Sequence, residues 1–118
     1  STGNQAMAKL IVTAQGIHHS GTNDLIIAVD VRDEAGAAVT GLTKARFKVW
    51  QLGHLFSEMS IDTVVPLDTI ATLEGMYHVV RKNWAPAVDG TFGFRVRVAK
   101  GRVSGDGGCH GRNIFYAK

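Results

Sequence analysis

Asp24-Leu-Ile-Ile-Ala-Val-Asp-Val-Arg32 runs directly into Asp33-Glu-Ala-Gly-Ala-Ala-Val-Thr-Gly-Leu42 and then into Thr43-Lys-Ala-Arg-Phe-Lys-Val49. Leu25, Ile27, Val29 and Val31 fall on one side of an extended chain, and Ala28, Asp30 and Arg32 on the other. That period of two marks a half-buried strand. Ile26 is the exception on the polar side. Asp33 to Gly36 supplies turn residues, the chain re-enters through Ala37-Ala38-Val39, and Gly41 breaks it again. Leu42 to Phe47 has room for one helical turn capped by Thr43, before a further strand from Phe47 to Leu52.

Outward from this stretch the alternation recurs. Lys9 to Ala14 reads as a short strand followed by a loop, Gly16 to Asn23. Glu58 to Leu67 reads as one strand bounded by Pro66, and Gly75 to Lys82 as the next. Asp68 to Glu74 carries no clear period, and Asn83 to Gly90 is a loop holding Trp84 and Pro86. Thr91 to Lys100 alternates most cleanly, with Phe92, Phe94, Val96 and Val98 on one side and Gly93, Arg95 and Arg97 on the other. Arg102 to Arg112 is glycine-rich and reads as a hairpin loop, with Asn113 to Ala117 as a last edge strand. About seven short strands without a long helical period predict an all-β protein, a two-sheet antiparallel β-sandwich.

With 118 residues, 45% of them hydrophobic, the chain can bury a core without disulfides or metal, so one domain is expected. Its bounds read as 8–118, with the polar segment 1–7 a disordered or added leader. No apolar run approaches the ~20 residues that cross a bilayer as a helix, so no membrane span is expected. The lone Cys109 excludes an internal disulfide, and it fits a reducing compartment or a bacterial envelope equally. The net charge of +3 is not concentrated as a dedicated nucleic-acid binder requires, and no nucleic-acid partner is assigned. The longest basic cluster, Arg95 to Arg102, is a strand first.

The run from Asp30 to Val49, with Gly75-Met-Tyr-His-Val-Val80 and Gly90-Thr-Phe-Gly-Phe-Arg-Val-Arg-Val98, resembles the extracytoplasmic immunoglobulin-like or transthyretin-like modules of bacterial and phage surface proteins. In those modules a strand leads into a D-x-x-G-x-x-V-x-G-L corner. A later G-x-Y strand pairs in a hairpin with a G-x-F/Y-x-F/V-x-V strand. The resemblance covers about two thirds of the chain. It implies an immunoglobulin-like sandwich in a periplasmic, secreted or surface setting, and it names no ligand. The residues carry their own reasons: Gly36 and Gly41 for turn dihedrals, Leu42 and Phe47 to plug the sandwich end, Gly75 and Gly90 where strands begin at a bend. The Cys, Trp and Cys pattern of antibody-type domains is absent, which disfavours an antibody-like receptor.

Five histidines are the metal candidates: His18 and His19 in the first loop, His54, His78 on a strand, and His110 beside Cys109. Loops at one end of a sandwich could bring His18 or His19 to Cys109 and His110. Their spacing matches no zinc or copper motif, so exposed loop histidines are the plainer reading and no metal or cofactor is assigned. Cys109 and His110 are adjacent on an extended chain and point apart, which favours a free, non-catalytic thiol. The glycines at 105, 107, 108 and 111 lack the buried parallel strand and following helix of a phosphate cradle. Asp33 and Glu34 are explained by their turn, and no nucleophile elbow is present, so an enzyme is not expected.

Arg95 and Arg97 share one face of their strand. Arg81, in a favourable hairpin register, would extend a cationic patch able to contact carboxylate, phosphate or sulfated sugar; a solvated face with cross-strand charge pairs is the plainer alternative. Trp50 lies opposite Val49 in the alternation, yet the low charge of its run favours burial, and the position of Trp84 is left open. Trp84, Trp50, Arg95 and Arg97 are the candidate ligand-binding residues. The leading expectation is a non-catalytic module that mediates protein contact, or spaces neighbouring domains, in a larger surface or secreted assembly. The alternatives are a module for carbohydrate or a small polar ligand, using the tryptophans and arginines, and a periplasmic metal-binding domain using His18, His19, Cys109 and His110.

Overall fold

The computed structural model describes residues 9–19, 21–52, 57–84, 91–100 and 103–114, with backbone alone for His19, Leu52, Ser57, Thr91, Phe92, Val103, Asp106 and 108–114. The segment 1–7, the loop containing His54, and Ala117 lie outside these residues. The described residues form eight strands: β1 (Ile11–His19), β2 (Asp24–Arg32), β3 (Phe47–Leu52), β4 (Ser57–Met59), β5 (Thr63–Pro66), β6 (Met76–Arg81), β7 (Thr91–Lys100) and β8 (Val103–Ile114). Two four-stranded antiparallel sheets, β4-β3-β7-β8 and β1-β2-β6-β5, pack over a common core. A parallel pairing of β1 with β8 joins them along one side. This strand order is that of an immunoglobulin-like sandwich with one strand beyond the seven-stranded form. Among the described residues no helix is long and apolar enough to cross a membrane.

The alternation read from the sequence is the alternation of burial. Leu25, Ile27, Val29 and Val31 of β2 are buried while their neighbours are only half-buried. Phe94, Val96 and Val98 of β7 are fully buried and share the core with Phe47 and Val49 of β3, Tyr77 and Val79 of β6, Val12 of β1 and Leu10 just before it. The side chain of Phe92 lies outside those described.

The corner after β2 is closed by its own residues. The Asp33 carboxylate accepts the backbone N–H groups of Ala35 and Ala37, both at 2.9 Å, so the turn is held by its own first residue. Val39 and Leu42 are buried in the common core. The Tyr77 hydroxyl donates to the Val39 carbonyl at 2.7 Å and accepts the Leu42 N–H at 3.3 Å, clamping the corner onto β6. Gly75 sits at φ +86°, where a Cβ would come within 2.9 Å of the Val31 carbonyl oxygen, so both conformation and space demand glycine. A single 3-10 turn, Lys44–Arg46, begins at Thr43, whose side chain makes no capping hydrogen bond.

Four expectations are corrected. The run from Glu58 to Leu67 is not one strand: Met59 pairs with Val49 of β3, while Val64 pairs with Val79 of β6 in the other sheet. Met59, Ile61 and Val64 all pack against the core, and their spacing of two and then three cannot fall on one side of a straight strand. The crossover is pinned by the Arg81 guanidinium on the Ser60 carbonyl at 3.1 Å and on the Ser60 hydroxyl, and by the Lys82 N–H on the Asp62 carboxylate at 2.7 Å.

β6 and β7 are not a hairpin either. β6 pairs with β2 and β5, and β7 with β3 and β8. Asn83, at φ +54°, turns the chain out of β6, and Trp84 then enters the core with its backbone N–H bonded to the Asn23 carbonyl at 2.9 Å.

The glycine-rich segment, read as a loop, is β8, paired with β7 from Thr91↔Arg112 to Lys100↔Val103. Its glycines answer to a close approach: a Cβ on Gly107 would lie 2.5 Å from the Val12 carbonyl oxygen, and one on Gly105 would overlap the Leu10 carbonyl. β1 also runs to His19, past the expected end at Ala14, because Gly16 and His18 continue the buried side of the strand.

Candidate functional site

Residues directly opposite one another in an antiparallel pair share a face, so the registers define the sandwich's two outer surfaces. On β4-β3-β7-β8, Glu58 is opposite Trp50 and Trp50 opposite Arg95. One step along, Lys48 is opposite Arg97 and Arg97 opposite Asp106. Lys48, Arg95 and Arg97 are exposed and Trp50 is half-buried. Arg46 joins them from the 3-10 turn, and together with Lys48, Trp50 and Arg97 it borders a depression of about 360 Å³ whose lining is completed by the small residues Ala45, Ala99 and Ser104.

The face is therefore cationic and aromatic. Among the described side chains Arg46, Lys48, Arg95 and Arg97 outnumber the acidic register neighbour Glu58. Lys48 and Arg97 are like charges directly opposite each other. The chemistry this permits is bidentate guanidinium pairing with planar oxyanions beside a ring face.

Three of the four residues singled out in the sequence, Trp50, Arg95 and Arg97, come together. Trp84 does not: only 8% exposed, its ring lies edge-on to His18 at 5.6 Å and tilted against Phe94 at 5.5 Å. Of the two tryptophans, Trp50, expected to be buried, is half-buried on the outer face, and Trp84, whose position was left open, is the core residue. Arg81 belongs to the other sheet and is engaged with Ser60, so it does not extend the patch. Lys48 and Arg46 were missed, although Lys48 is two residues from Trp50 on β3 and period two alone puts it on the same face.

The histidine and cysteine segments lie on adjoining strands, since the parallel register sets His18 beside Asn113. Cys109 and His110 are then offset from His18 by three to four residues, roughly 10–13 Å along a strand, too far for shared coordination. His18 is itself 3% exposed, in the core against Trp84. The described residues contain no group of three potential ligands.

The other outer face has a different character. Across β1, β2 and β6, Ile17 is opposite Ile26 and Ile26 opposite Val80; Ala28 is opposite His78, which is opposite Val65 of β5. Its charged pair is local, with the Arg32 guanidinium 3.2 Å from the Asp30 carboxylate. A separate depression of about 500 Å³ opens at the sandwich end between Lys9, Asp33, Glu34 and Lys100, where opposite charges alternate.

Among the described residues, Tyr77 is the titratable group with a clear shift. Burial raises its phenol above the ordinary 10.0, the Leu42 N–H opposes that, and the nearby Asp68 carboxylate adds to it. Its task is the clamp on the corner. No family model matches the sequence, and comparison with curated proteins finds no match.

Proposed function

We propose that the chain is a non-catalytic module of an extracytoplasmic assembly that makes protein contact through the outer face of β4-β3-β7-β8. The observation that supports this reading is the half-exposed Trp50, held in register with Arg95 and flanked by Lys48 and Arg97 on a rigid sheet. Interface anchors are characteristically Trp and Arg set among polar neighbours. A carbohydrate reading loses its Trp84 platform, because that indole is in the core.

The test is photo-crosslinking in the cell of origin, with the reactive side chain placed at Lys48 or, on the opposite outer face, at the exposed Thr13. A discrete protein adduct from position 48, lost on Trp50→Ala with an unchanged circular dichroism spectrum, is the expected result. Equal adducts from both positions, or glycan-array binding that Trp50→Ala abolishes, would overturn the reading.

A further inference from the structure

Resting on that reading, we infer that the partner surface is an extended, acidic protein segment laid along β7. Arg95 and Arg97 are two residues apart on one strand, so their attachment points repeat every ~6.6–6.8 Å, the same repeat at which alternate side chains of an extended peptide appear. Carboxylates at alternate positions of such a segment meet one guanidinium each. Lys48, directly across from Arg97, adds a third cation one strand away, ~4.8 Å to the side.

Charge complementarity selects acidic over neutral partners. Among the described side chains the face carries Arg46, Lys48, Arg95 and Arg97 against Glu58. The opposite outer face has no such excess, its Arg32 being matched by Asp30. The depression beside Trp50 supplies room for an apolar side chain next to the carboxylates, with Ala45, Ala99 and Ser104 keeping it open.

The probe is a synthetic peptide with Glu at alternate positions and one Leu, titrated against the full chain by calorimetry at low and at physiological salt. Saturable binding is expected, weakened by salt, absent for the Gln counterpart, and reduced about tenfold in Arg95→Gln/Arg97→Gln. Lys9→Gln/Lys82→Gln removes the same charge away from the face and should leave the affinity within about twofold. Equal losses in the two double variants would overturn the proposal, as would binding of dextran sulfate or polyglucuronate without binding of the peptide. If position 48 crosslinks a protein and the acidic peptide does not bind, the contact reading stands and the acidic partner falls. If neither occurs, both fall.

Discussion

Outward positions on β3 and β7 hold Lys48, Trp50, Arg95 and Arg97, whereas those on β2 and β6 hold Asp24, Ile26, Ala28, Asp30, Arg32, Met76, His78 and Val80. The inward positions of the same four strands do not differ in kind: Phe47, Val49, Phe94, Val96 and Val98 on one side, Leu25, Ile27, Val29, Tyr77 and Val79 on the other. One alternation thus sets two independent surfaces against one core. The inner side answers to packing and tolerates little change. The outer side is open to whatever chemistry a partner requires, and one of the two faces sets positive charge beside a tryptophan where the other sets Asp24, Asp30 and Arg32 among mostly apolar residues.

The most direct way to break this separation is to measure both sides of β7. Phe94→Ala should destabilise by ~3–5 kcal/mol, read as a shifted urea midpoint, because it opens a cavity where the two sheets meet. Gly107→Ala, on the seam between β8 and β1, should cost ~1–3 kcal/mol, since a Cβ there is driven into the Val12 carbonyl. Tyr77→Phe should cost ~1–3 kcal/mol by leaving the Leu42 N–H and the Val39 carbonyl without their partner. It also has a pH signature. The folded phenol titrates above its unfolded value, so the unfolded chain loses the proton first as pH rises past 10.0; the Tyr77 contribution is complete below that point and is lost above it. Denaturation at pH 9 and pH 11 should show the wild type losing more stability than Tyr77→Phe. Trp50→Ala and Ile26→Ser, one on each outer face, should both stay within ~0.5 kcal/mol of wild type. A cost for Trp50→Ala comparable to that for Phe94→Ala would mean that the aromatic face is structural, and the separation would fail.

β2, β7 and the corner were legible because each is fixed by local chemistry: a period of two, an aspartate that closes its own turn, glycines where dihedrals demand them. What was not legible depends on distant chain. Glycine in β8 resembles loop composition until β1 is seen pressed against Gly105 and Gly107. The split between β4 and β5 is carried by the two-then-three spacing of Met59, Ile61 and Val64, a weak signal without knowledge of which sheet each one faces. For the site, period two already placed Trp50 outward, away from Phe47 and Val49, and low local charge was the wrong reason to bury it. Trp84 was harder, since its burial depends on Asn83 adopting a left-handed conformation and on the carbonyl of Asn23. The clamp by Tyr77 spans 35 to 38 residues and has no local signature.

The parallel seam between β1 and β8 has a mechanical consequence. The Leu10 N–H bonds to Ser104 at one end of the seam, and His19 lies beside Ile114 at the other. A pull that enters before Lys9 and leaves after Ile114 therefore drags the two strands past each other lengthwise. Every cross-link of the seam is strained together, unlike a peel, which opens them one at a time. In such a geometry the rate of forced unfolding, rather than the equilibrium free energy, governs how long the domain holds under tension.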